Sequence, residues 1–174
     1  MATPALRPIR HWPDPVLSAP CAEIAPGEPG VFLLANDMLR AMYAANGRGL
    51  AAPQVGVSKR LFVMDETWKT GTATPRIFIN PVVRDPSTDR VTGPEGCLSI
   101  PGITVQVSRA AEVTLEWTNL FGTRHSARLA GFAAICAQHE VDHLDGIVTF
   151  DRLSPEARAA AERDYADMSP EAGG

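Results

Sequence analysis

After Pro29, apolar residues recur at three- and four-residue steps: Val31, Leu34, Ala35, Met38 and Met42 fall on one stripe, as in a helix with one buried face. The spacing predicts a helix that begins near Pro29 and stops at Asn46-Gly47. The period then shortens. Residues 60–64 and 76–80 read as strands, and Pro81 and Pro86 bound a short further one. Residues 104–107, 112–117 and 124–129 alternate or are β-branched, with Asn119-Leu120-Phe121-Gly122 as the turn between the last two. A second helix opens at Gly131. Phe132, Ile135, Cys136, His139 and His143 share one face, and Ala133, Ala137, Val141 and Leu144 lie on the other. A helix that is apolar on both sides is a buried one. A third helical stretch, about 154–169, has Ser154 as N-cap, Pro155 at its first position and Glu156 in its first turn. Strands fill the middle and helices the ends. The expected class is α+β: antiparallel sheets around a buried central helix, flanked by an N-terminal and a C-terminal helix, in a single domain over residues 1–174.

The polar residues of the buried helix carry the chemistry. His139 and His143 are four apart, so their rings project from one face, one turn apart. That spacing lets two imidazoles share a small tetrahedral metal ion. Glu140 follows the first histidine, and the pattern H-E-x-x-H combines two ligands with a general base. Two histidines and a glutamate in an apolar helix are costly without partners. A metal accounts for all three together, whereas two hydrogen-bonded core histidines account only for the rings. For a third ligand, His11 sits in a proline-rich segment and His125 on an exposed strand, so Cys97 between Pro94 and Pro101 is the better candidate. Cys21 and Cys136 read as buried thiols, with Cys136 on the pocket wall. A Cys/His/His set leaves one coordination position open, the mark of a catalytic site.

Residues 47–56, Gly-Arg-Gly-Leu-Ala-Ala-Pro-Gln-Val-Gly, place small residues around a Pro-Gln pair. On their own they read as a tight loop between helix and strand, with Gln54 offering an amide that can donate to an oxyanion. Charge narrows the partners: the net charge is -4 and the pI about 5.5, so neither nucleic-acid nor membrane affinity is expected. No apolar run approaches a membrane span, the first eight residues lack the apolar core of a signal peptide, and three cysteines fit a reducing cytoplasm.

Three motifs, "GRGLAAPQVG" at 47–56, "EGCLS" at 95–99 and "QHEVDHLDG" at 138–146, together with "PDPVL" near the N-terminus, make the sequence resemble the peptide deformylases over nearly its whole length. The resemblance implies removal of the formyl group from N-formylmethionyl peptides of nascent proteins, giving formate and a free amino terminus. It implies that Cys97, His139 and His143 hold one divalent metal, usually Fe(II), with Zn(II) or Ni(II) as substitutes. Glu140 would shuttle the proton, and Gln54 with the backbone N–H of Leu98 would stabilise the oxyanion. Phe132, Ile135 and Cys136 match the wall of the methionine pocket. Gly49 and Gly96 match positions that hold the peptide as an added strand. An arginine twelve residues after the metal cysteine, here Arg109, is expected to pair with Asp142 and to lock the metal helix against the sheet.

Two positions depart from the family pattern. Arg48 stands between the glycines of the first motif, where an aliphatic residue is usual. It closes the groove, steers acidic peptides into it or points to solvent, and the three readings stay open. Thr104 stands where some members carry an arginine that meets the peptide backbone, and Arg48 is the candidate to replace it from the other side. These departures motivate an alternative: a divergent paralogue acting on a different N-acyl or peptide substrate. The stretch 151–174 holds six acids (Asp151, Glu156, Glu162, Asp164, Asp167, Glu171) and three arginines, a net of -3. Stable docking on the ribosome through this helix is therefore not expected.

Overall fold

The computed structural model describes residues 6–168; Glu171 and the last residue of the expected 154–169 helix lie outside this range. Helix α1 is Val31–Ala44. Its Ala35, Met38 and Met42 are buried while Phe32 and Leu33 face solvent, which is the stripe read from the spacing. Asn46 takes a positive φ of 58° and turns the chain out of the helix. The segment beyond it, expected to be a loop, is more regular: Gly49–Ala51 form strand β1 and Ala52–Val55 a 3-10 turn.

Strands β2 (Leu61–Met64), β3 (Arg76–Arg84), β4 (Arg90–Cys97), β5 (Ile100–Ala110), β6 (Glu112–Thr118) and β7 (Arg124–Ala130) complete two antiparallel sheets. One has five strands in the order β1-β2-β3-β6-β7; the other is the hairpin β4-β5. The separate strand expected between Pro81 and Pro86 is the second half of β3. Asn80, at φ 48°, and a register shift between Ile79 and Val82 mark a bulge that carries the strand past Pro81. The Asn80 amide donates to the Ile24 carbonyl at 2.9 Å and accepts from the Ile24 N–H at 2.8 Å, so the bulge also fixes the N-terminal segment.

Helix α2, Gly131–Leu144, touches strands of both sheets. Ten of its residues are buried, because sheet lies on more than one side of it. Gln138 clips it to the end of β5, donating to the Ala110 carbonyl at 3.0 Å and accepting from the Ala110 N–H at 3.2 Å. The helix stops at Gly146, whose φ of 76° ends it in the left-handed region. A Cβ built there would lie 2.9 Å from backbone atoms of Ser18 and Ala19. Gly146→Ala is therefore expected to lose roughly 3 kcal/mol, combining left-handed strain with overpacking against a crossing chain; urea titration measures it. Helix α3, Pro155–Met168, begins where expected: the Ser154 hydroxyl accepts from the Ala157 N–H at 3.2 Å. It buries Ala161 and Tyr165 against β5 and Phe150.

Candidate metal and active site

Cys97 ends β4 at the turn of the hairpin, and α2 presents His139 and His143 to it. The three donor atoms lie within 4.8 Å of one another. Cys97 Sγ is 3.3 Å from His143 Nε2, close to the ~3.6 Å that separates sulfur and nitrogen ligands on one tetrahedral ion. His139 Nδ1 meets Glu95 Oε2 at 3.0 Å, which turns its Nε2 toward the other two donors. Burial works against the Cys97 thiolate, yet the His143 charge and the hydrogen bonds of both histidines bring its pKa well below the ordinary thiol value, giving the form that binds metal. Burial works against a charge on His139 too, but Cys97, Glu95 and Glu140 draw it toward its protonated state. A divalent cation held by the thiolate and the two imidazoles would take the place of that proton, so the donor set fits such an ion.

Glu140 is 4% exposed and its Oε2 has no hydrogen-bond partner. Burial raises its pKa, only partly offset by the two histidines. The backbone of β1 runs directly against it. A Cβ on Gly49 would sit 2.8 Å from Cys136 Sγ and would overlap Glu140 Oε1, so the close approach requires glycine. Gln54, 1% exposed, is held by the 3-10 turn: its Oε1 accepts from the Ala51 N–H at 2.9 Å. Its Nε2 donates to Ser99 Oγ at 3.1 Å and lies 3.6 Å from Cys97 Sγ. The amide therefore points across the same space as Glu140.

Behind the donors runs a buried ion network. Arg109 donates to both oxygens of Glu95, at 2.8 and 2.9 Å, and to Asp142 Oδ2 at 2.6 Å. Burial works to raise the Glu95 pKa, but Arg109 and His139 overturn it and hold the carboxyl at about 2. Asp142 accepts a second cation, Arg152, on its outer side. The structure places Arg109 beside Asp142, and it adds Glu95, Arg152 and Ser99, which the sequence alone does not single out. Glu95 has a signal, since it lies two residues before the metal cysteine in the second motif; Arg152 has none.

A groove of about 910 Å³ opens over these residues. Gly49, Gly96, Leu98, Phe132, Ile135 and Cys136 all line it. Cys136 is buried, Ile135 half-buried, and Phe132, 43% exposed, stands at the rim. Thr104 also lines the groove and is exposed. Arg48 does not simply point to solvent: its guanidinium lies over the Phe132 ring, 4.9 Å from the centroid. His125 is exposed away from the groove and stacks on Trp117, which packs on the core-facing side of the five-stranded sheet. Cys21 is buried in the core and unpaired.

The sequence model of the family described as "Polypeptide deformylase" matches residues 6–159. The "Peptide deformylase" of Rhizobium meliloti is 41% identical over 149 residues, 86% of each chain, and that of Maricaulis maris is 40% identical over 150 residues, again 86% of each. Among solved structures, a peptide deformylase from Legionella pneumophila superposes with a TM-score of 0.88 at 36% identity, covering 95% of this chain and 96% of its own. One from Ehrlichia chaffeensis, in complex with actinonin, gives 0.86 at 33% identity, covering 95% and 98%.

Proposed function

Since the chain belongs to the polypeptide deformylase family and is a metal-dependent hydrolase of that kind, we propose that Cys97, His139 and His143 hold one divalent metal. By resemblance that metal is Fe(II), with Zn(II) or Ni(II) able to replace it. One observation carries the reading: a thiol and two imidazoles converge within 4.8 Å beside a buried, unpartnered carboxylate oxygen. An ion held there would supply Lewis acidity and lower the pKa of a water beside it. Glu140 Oε2 takes the proton of the attacking water. The water oxygen bonds to the formyl carbon, the carbon–nitrogen bond breaks, and Glu140 returns the proton to the leaving amine nitrogen. Gln54 Nε2 and the Leu98 N–H donate to the formyl oxygen as it gains charge. The peptide lies along β1 as an added strand, between Gly49 and Gly96, and its methionine enters the pocket walled by Ile135, Cys136 and Phe132.

The substrates are N-formylmethionyl peptides of nascent chains. The relatives, at about 40% identity, are named peptide deformylases, which does not favour a paralogue with a different acyl substrate. The three free cysteines support a reducing, cytoplasmic setting, and the described part of α3 carries Glu156, Glu162, Asp164 and Asp167, which opposes firm docking on ribosomal RNA. The chain acts as one catalytic domain, with Arg109 and Asp142 positioning the metal helix.

Formate release from formyl-Met-Ala-Ser by anaerobically purified, Fe(II)-loaded protein tests the assignment. Metal-dependent release supports it; no release, with metal bound at one equivalent, overturns it. Gln54→Ala is expected to lower kcat about 100-fold with little change in KM, because its amide meets the oxyanion and not the ground state.

A further inference from the structure

Arg48 is half-buried at the groove, and its backbone is held by its neighbours. Its carbonyl accepts from the Asp65 N–H at 2.8 Å, and the neighbouring Gly47 carbonyl accepts from Trp68 Nε1 at 2.9 Å. Asp65 is itself buried and receives the Tyr43 hydroxyl at 2.6 Å. The backbone that presents Arg48 is therefore rigid. Its guanidinium stacks on Phe132, and its Nε is buried with no hydrogen-bond partner. No acid pairs with it among the described residues, whereas the two acids lining the groove, Glu95 and Glu140, are buried toward the metal site. Lys69 lines the same groove, so its exposed rim is cationic although the chain is acidic.

The reach of a bound peptide matches this position. Phe132 precedes His139 by seven residues, which puts the Arg48–Phe132 pair about 10 Å along α2 from the metal ligand. In an extended substrate the third residue lies about 10 Å from the formyl carbon. Side chains alternate along a strand, so the third residue projects to the same side as the methionine, and the second to the opposite side.

We infer that Arg48 makes this enzyme favour substrates whose third residue is Asp or Glu, with its guanidinium receiving that carboxylate at the outer end of the groove. The inference rests on the proposed deformylase reaction and its strand-like substrate. It assigns no role to a chain-end carboxylate, which a short peptide would also offer. The test uses C-terminally amidated peptides, formyl-Met-Ala-Glu, formyl-Met-Ala-Gln and formyl-Met-Ala-Lys, with formyl-Met-Glu-Ala and the free acid formyl-Met-Ala-Gln as controls.

The expected kcat/KM is about five-fold higher for Glu than for Gln at the third position, carried by KM, with Lys below Gln. The ratio falls to near one in Arg48→Met, and in 1 M salt, where the screening length is about 3 Å. Arg48→Lys restores most of it, which packing over Phe132 alone would not. Equal rates for Glu and Gln overturn the inference. So does a ratio that survives in Arg48→Met, an equal preference at the second position, or the same gain from the free acid. Absence of formate from every peptide would instead overturn the deformylase reading, and this one with it.

Discussion

Glu140→Gln lowers formate release by about 1000-fold or more while leaving metal content and thermal stability close to those of the parent protein. The substitution keeps the shape of the side chain and removes only its capacity to accept a proton. General-base catalysis of this kind contributes about 100- to 10,000-fold, and among the described residues no other unpartnered carboxylate oxygen stands at the site; the unpartnered His143 Nδ1 belongs to a ring whose Nε2 faces Cys97. The nearest candidates are committed: Glu95 is held ionised between Arg109 and His139, and the Cys136 thiol is pushed well above its ordinary pKa by burial and by Glu140. The buried Glu140 Oε2 has no hydrogen bond to lose, which is why folding should tolerate the change. Formate assay, metal analysis and a thermal melt on one preparation check all three parts. Residual activity above about a tenth of the parent would remove Glu140 from the role given to it.

Arg109→Met has its large effect on stability. The side chains of Arg109, Glu95 and Asp142 are 5%, 7% and 10% exposed. Removing the cation leaves two carboxylates buried, one of them with no positive partner but a histidine. Breaking a buried pair from one side costs about 3–5 kcal/mol, a large share of the 5–15 kcal/mol by which a domain is stable. The loss should appear as a fall in the urea midpoint with little change in slope. It should also reach the metal. Glu95 orients His139 through Nδ1, and loss of such a partner lowers metal affinity about 10- to 100-fold, measurable by chelator competition. Arg152→Ala touches the same Asp142 from a half-exposed position and is worth at most about 1 kcal/mol. The contrast between the two arginines separates burial from charge.

The sequence shows its helices more plainly than its sheets. The stripe of α1, the cap of α3 and the doubly apolar α2 are local patterns, and all three helices stand close to where spacing puts them. Strand β4 escapes because Gly93, Pro94 and Gly96 break the pattern that its β-branched Val91-Thr92 pair begins. It exists by pairing with β5 over its whole length, and Pro94 is tolerated in a two-stranded sheet, where an outer edge needs no donor. Strand β3 reads as two pieces split at Pro81, because a bulge held by a distant contact to Ile24 leaves no local mark. The site follows the same logic. His139, Glu140 and His143 are legible because a helix converts spacing into geometry. Cys97 follows from the scarcity of other ligands. The triple role of Glu95, joining Arg109, His139 and the hairpin, depends on three elements meeting in space. The stacking of Arg48 on Phe132 likewise joins residues far apart in the chain.

The hairpin that ends in Cys97 is backed by one apolar cluster, in which Leu17 from near one end of the chain and Tyr165 from near the other pack with Ile100, Val107 and Phe150. Trp12 sets its ring edge-on to both Phe150 and Tyr165. Synthesis delivers these parts at opposite times. While the chain is being made, β4 and β5 emerge with half of their support, and the thiol stands on a hairpin that only the earlier residues, Trp12 and Leu17 among them, can back. Only when Tyr165 has cleared the exit tunnel can that backing close. An enzyme of this family thus has its metal hairpin fully backed only after the helix that carries its two histidines has been made.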